Sequence, residues 1–182
     1  MTETIIVDEQ GRPEPPLAAD ETGMLLGFLE WQRATFAWKT GRLDTAGLSA
    51  KIADSTMTLG GMLKHLAYVE EYWFGEILHQ RARGLPWSAQ DWQADPNWDW
   101  DSAAGDSPGE IYRLWQDEVK RARADVAEAL ADGGMDQAAK RPLSDGRAPN
   151  LRWIICHMIE EYARHNGHAD LIRESIDGQT GE

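Results

Sequence analysis

The chain has 182 residues, with 31 Asp and Glu against 18 Lys and Arg, a formal net charge of -13 at pH 7. That is the size of one globular domain, and the acidic balance opposes both nucleic-acid phosphates and anionic membrane surfaces, so neither is expected as a partner. Hydrophobic residues at 42% exclude a chain that stays disordered, and nine Trp against three Phe and four Tyr leave large indole surfaces to be buried or used.

Residues 1–19 hold Pro13, Pro15 and Pro16 with Gly11 and read as an extended N-terminal arm, whose Ile5-Ile6-Val7 is suited to packing on the domain or on a neighbour. The acidic start lacks the basic and apolar regions of a signal peptide, and no apolar run reaches the roughly 20 residues of a membrane span. A single cysteine, Cys156, excludes an intrachain disulfide. These features make the cytoplasm the expected location. Residues 20–182 are expected to form one domain.

Helix 1 is predicted over 20–39, where Met24, Leu25, Phe28, Leu29, Trp31, Phe36 and Trp38 recur at mostly helical spacing. Helix 2 is predicted over 58–80 from Leu59, Met62, Leu66, Val69, Trp73 and Ile77. Residues 81–106 show no sustained period but carry Trp87, Trp92, Trp98 and Trp100, which suits a long crossover or lid. Helix 3 opens on the capping-box sequence Ser107-Pro108-Gly109-Glu110 and runs to Asp132. Helix 4 follows Asn150 as N-cap, spans about residues 151–173 and is closed by Asp177-Gly178. Four amphipathic helices without alternating strands imply an all-α four-helix bundle with a long crossover loop between helices 2 and 3.

Chemistry concentrates on helices 2 and 4, which carry all five histidines: His65, His79, His157, His165 and His168. On helix 4, His157, Glu161 and His165 follow one another at steps of four, each step turning only about 40° around the axis. His165 lies inside the arc of Ile154, Met158, Tyr162, Ala169 and Ile172, with Glu161 at its edge. An imidazole and a carboxylate one turn apart suit a metal, and equally a hydrogen-bonded core pair. A helix 2 imidazole, His65, would complete two histidines and one carboxylate, a set that leaves positions open for water or substrate. His79, at the end of helix 2, is expected to be solvated. Cys156 projects almost opposite His165 and reads as a buried structural thiol. Glu70-Glu71 and Glu160-Glu161 point about 100° apart within each pair, which argues against a shared reaction centre.

Leu63-Lys64-His65-Leu66-Ala67-Tyr68-Val69-Glu70 with Trp73-Phe74, and Leu151-Arg152-Trp153 followed by the stretch from His157 to Asp170, resemble the DinB-like superfamily, most closely its actinobacterial mini-circle-protein branch. The similarity extends over about residues 17–179. The resemblance implies a four-helix bundle with a long crossover, often a homodimer, and a divalent metal, zinc or nickel, held by His65, Glu161 and His165. Many relatives use three histidines; here Glu161 stands where such relatives place the first helix 4 histidine. A His, Glu, His set is similar to that of the mycothiol-dependent maleylpyruvate isomerase, although that enzyme carries a further domain and its isomerisation is not carried over. His168 is a reserve ligand.

The expectation is therefore a metal-dependent enzyme that activates a low-molecular-weight thiol such as mycothiol and transfers it to an electrophile. The rival expectation is a non-enzymatic dimeric helical bundle in which the same His and Glu residues form a structural cluster.

Overall fold

The computed structural model describes residues 6–181. The chain divides into two compact units, a terminal unit formed by Met1–Arg42 with Ile155–Glu182 and a central unit, Leu43–Ile154. The described residues form an all-α structure, with isolated bridges between Val7 and Pro13 and between Ala138 and Asn150.

In the terminal unit, α1 (Glu21–Thr40) starts where Asp20 accepts from the Gly23 amide at 2.8 Å, satisfying one of the free amides of the first turn. Its buried positions include Leu29, Arg33, Phe36 and Thr40, spaced by four, three and four. Trp31, Thr35 and Trp38 form a second stripe, and the segment before the helix uses it. Gly11, at φ +80°, turns the chain so that Val7 bridges Pro13 and Arg12 is carried onto α1. Arg12 donates to Asp8 at 2.6 Å and to Thr35 at 3.1 Å, and its guanidinium lies 4.1 Å from the Trp31 ring centre and 4.9 Å from that of Trp38. Ile6 and Val7 are exposed; Ile5, from the same expected packing segment, lies outside the described residues.

The last helix, α6 (Leu151–Asp177), enters this unit at Ile155. Asn166 donates to the backbone oxygen of Gln32 at 3.0 Å, and Arg173 donates to that of Lys39, also at 3.0 Å, each contact 134 residues apart. The equal offset means that α1 and α6 run in the same direction. Lys39, fully buried, is held by Asp170 at 2.8 Å, by the Gly181 carbonyl at 2.8 Å and by the Trp38 ring at 4.0 Å. A buried ammonium without such partners would be costly. The helix extends one turn beyond the expected residue 173, with Arg173 pairing to Asp177 across that turn. Gly178, at φ +75°, then closes it.

In the central unit, a short α2 (Thr45–Leu48) precedes α3 (Leu59–Glu70), which Thr58 caps through the Gly61 amide. The expected helix 2 is continuous but changes character: residues Glu71–Leu78 are a π-helical extension of α3. Residues 81–106 contain a 3-10 turn at Trp87–Ala89, the single-turn α4 (Trp98–Asp101) and a 3-10 turn at Ser102–Gly105. The capping box forms as the sequence suggests, Ser107 and Glu110 satisfying each other's amides at the start of α5 (Pro108–Asp132).

Lys64 meets Asp106 just before α5, whereas His79 meets the Asp125 carbonyl two-thirds of the way along it. Helix α5 is therefore parallel to α3, and residues 81–106 carry the chain back from the end of α3 to its start. After α5, the amides of Lys140 and Arg141 donate to the carbonyls of Leu78 and Ile77, which close the end of the π-helical segment. Asn150 caps α6 through the Trp153 amide at 2.9 Å.

Arg12→Ala should lower unfolding stability in urea denaturation, because it removes the buried guanidinium that donates to Asp8 and Thr35 and lies over two indoles. Arg12→Lys should recover less than half of that, since a point ammonium cannot stack and donate in a plane as guanidinium does. A lysine variant as stable as wild type would refute this account.

Candidate metal centre

The terminal unit supplies Glu161 and His165, one turn apart on α6. The carboxylate Oε1 lies 3.3 Å from His165 Nε2. His165 is buried, while the Glu161 side chain keeps 18% of its surface exposed. Tyr162, fully buried beside them, meets Phe36 edge-on at 6.0 Å. His168 meets the His165 ring edge-on at 5.5 Å, and burial, followed by the nearby His165 and Arg164, lowers its pKa so that the neutral imidazole is favoured. His157 lies 3.7 Å from Glu160 on the same helix.

The central unit supplies His65. Its Nδ1 lies 2.7 Å from Oδ2 of Asp99, which is 4% exposed, and its ring stacks on Trp100 with centres 4.3 Å apart and planes 23° apart. Both partners come from α4. The neighbouring Lys64 is held by the same segment, 2.6 Å from Asp106 and 4.2 Å from the Trp98 ring centre. Gly61, one turn before His65, lets the indole approach: a Cβ there would stand 3.2 Å from Trp100 Cε3.

Among the described residues, His65, Glu161 and His165 make up a group that could hold a metal ion. His157 and His168 are not part of that group. Two imidazoles and one carboxylate are borderline donors suited to zinc and its neighbours, and three ligands leave coordination positions for a substrate.

Several expectations change. Cys156 is exposed rather than buried, because its place on the face of α6 opposite His165 is not covered. His79 is not solvated: its side chain lies 3.0 Å from the Asp125 carbonyl and 3.4 Å from Glu128 on α5. Of the four Trp in residues 81–106, Trp100 reaches His65, but Trp87 is fully buried and donates to Glu118, and Trp92 stacks on Tyr68. Asp99 joins the site from outside the residues that the sequence pattern singles out. The only signal for it was an acidic residue between two Trp, and nothing local ties such a residue to a histidine 34 positions earlier.

The central unit also holds a cavity of about 280 Å³ bordered by Glu70, Glu71, Arg81, Glu118, Arg121 and Asp125. The adjacent acids Glu70 and Glu71 thus border one space, at the point where α3 passes into π-helical geometry. Asp125 takes Arg81 and Glu118 takes Arg121, whereas the buried Glu71 Oε2 has no hydrogen-bond partner among the described residues. Burial, then the charge of Glu118, raises the Glu71 pKa to about 7 against the pull of Arg83, Arg81 and Arg121.

A family model described as Mycothiol-S-transferase matches residues 24–178, and that family lies within the DinB-like superfamily, as the sequence resemblance implied. A search of curated proteins returns no match.

Because the folded-state pKa of Glu71 lies above the ordinary 4.5, its ionisation costs the folded state stability, beginning as pH rises past 4.5 and complete above about 7. Glu71→Gln should therefore match wild type near pH 4 and exceed it by about 1–2 kcal/mol at pH 8, a figure reduced for partial solvent screening. Urea denaturation at the two pH values checks this; a gain of equal size at both would contradict it.

Proposed function

The chain belongs to the Mycothiol-S-transferase family, and we propose that it is a metal-dependent S-transferase joining a low-molecular-weight thiol, of which mycothiol is the leading candidate, to a small electrophile. The observation that carries the reading is the donor set: His65, Glu161 and His165 could hold a metal ion, in a family named for a thiol transfer. In this reading the three side chains bind a divalent cation, zinc or nickel. Residues 20–182 act as one domain with the four-helix-bundle architecture of the superfamily, residues 81–106 forming its crossover, with residues 1–19 as an arm. The protein is a homodimer in the cytoplasm. A formal net charge of -13 opposes nucleic acid as a partner, and no helix among the described residues is long and apolar enough to cross a membrane.

When bound, such a cation lowers the pKa of a coordinating thiol and holds it as the nucleophilic thiolate. The residues contribute the rest. Glu161 adds one negative charge to the site, and two neutral imidazoles supply the other lone pairs, so the set balances part of the cation's charge and leaves it electrophilic towards sulfur. In the transfer, a sulfur–carbon bond forms as the carbon–leaving-group bond breaks with its electron pair, and the thiol proton passes to solvent.

Metal analysis of the untagged full chain, followed by conjugation assays with mycothiol and monobromobimane, tests the proposal. Wild type should hold about one zinc or nickel per chain and conjugate the thiol. His65→Ala, Glu161→Ala and His165→Ala should each lose stoichiometric metal and cut the rate at least about 100-fold. A wild-type chain without metal affinity, or alanine variants that conjugate at the wild-type rate, would refute it.

A further inference from the structure

We propose that Asp99 is a positioning residue for the metal site: it fixes the tautomer and the ring plane of His65, so that Nε2 is the ligand atom. The inference rests on the metal-site reading above and assigns a role to a residue outside the ligand set.

An ionised carboxylate can only accept, so the nitrogen 2.7 Å from Asp99 Oδ2 must carry the proton. That nitrogen is Nδ1. A neutral imidazole with its proton on Nδ1 offers its lone pair from Nε2 alone. The short contact to a carboxylate also makes the ring more electron-rich and a better ligand, as outer partners of metal-binding histidines commonly do. Asp99 is 4% exposed, so water competes little for its oxygens.

Geometry reinforces the chemistry. Asp99 fixes one edge of the ring, and Trp100, the next residue, fixes its plane by stacking at 4.3 Å. Two constraints from adjacent residues on one helical turn leave His65 little freedom about either side-chain torsion. Trp98 and Asp106 hold Lys64 at the same time, which anchors α4 to α3 independently of the His65 contact. Removing the Asp99 carboxylate should therefore release the imidazole without detaching the segment.

The test uses the full chain, stripped of metal with a chelator and reloaded with zinc in competition with a chromophoric chelator. Asp99→Ala should bind zinc about 10–100-fold more weakly than wild type. Asp99→Asn, which keeps an acceptor but not the charge, should fall between them, and Asp106→Asn, which disturbs only the Lys64 pair, should stay within about threefold of wild type. Long-range nitrogen–proton NMR on the metal-free wild-type chain should show the His65 proton on Nδ1, a readout that needs no substitution should the alanine variant fail to fold. Equal zinc affinity in Asp99→Ala and wild type, or a metal-free His65 protonated on Nε2, overturns the role of Asp99 while leaving the ligand set standing. A wild-type chain that takes up no zinc or nickel overturns the metal reading and this inference with it.

Discussion

The parallel run of α3 and α5 is the constraint on which the central unit depends. Two neighbouring helices that point the same way cannot be joined by a tight turn; the chain must return along the length of the first before starting the second. Residues 81–106 make that return, and in doing so they deliver α4 to the start of α3. Asp99 and Trp100 reach His65 because of this path, and Trp98 and Asp106 reach Lys64 by the same route. The tryptophans along the way are distributed by position. Trp87 fills the interior against Glu118, Trp92 stacks on Tyr68, and the last two serve the histidine and its neighbouring lysine.

A second theme is that charge is buried only where it is matched. In the terminal unit, Arg12, Lys39 and Arg173 are each nearly or fully buried, and each meets carboxylates and backbone carbonyls or hydroxyls at hydrogen-bond distance. Indole faces supplement these partners for Arg12 and Lys39. In the central unit, Asp125 and Glu118 hold arginines in the same way. Glu71 departs from the pattern: a carboxylate oxygen buried without a hydrogen bond is tolerated because the group holds its proton to about pH 7. The π-helical geometry begins at this residue, and a Cβ on Gly75 would stand 3.3 Å from its Oε1, so the glycine leaves the carboxylate room.

Much of the local structure was legible in the chain. Ser107 and Asn150 cap helices where the sequence expects them, and Asp20 and Thr58, expected only as the first residues of helices, are caps by the same rule, each side-chain oxygen finding an amide three residues on. The stop at Asp177-Gly178 follows from glycine's access to positive φ. Glu161 and His165 were also legible as a pair, because a spacing of four fixes their proximity on any helix. Side-chain environments were harder to read. Arg33 and Lys39 occupy buried places on α1 while Phe28 is 43% exposed, since burial is set by what packs against a helix and not by the polarity of its own residues.

What the sequence determined by itself is whatever a few neighbouring residues settle: the all-α class, the caps and stops, and the α6 carboxylate–histidine pair. Tertiary structure alone decided the partners that come from far along the chain. Asp99 stands 34 residues from His65, Asp125 is 46 from His79, and Gln32 is 134 from Asn166. Helical periodicity carries no information across such gaps, because the direction of the intervening segment sets which side chains meet. The physical reason is the same for the exposed Cys156 and the enclosed His79: each local pattern fixes the face a side chain occupies, and only packing fixes whether that face is covered.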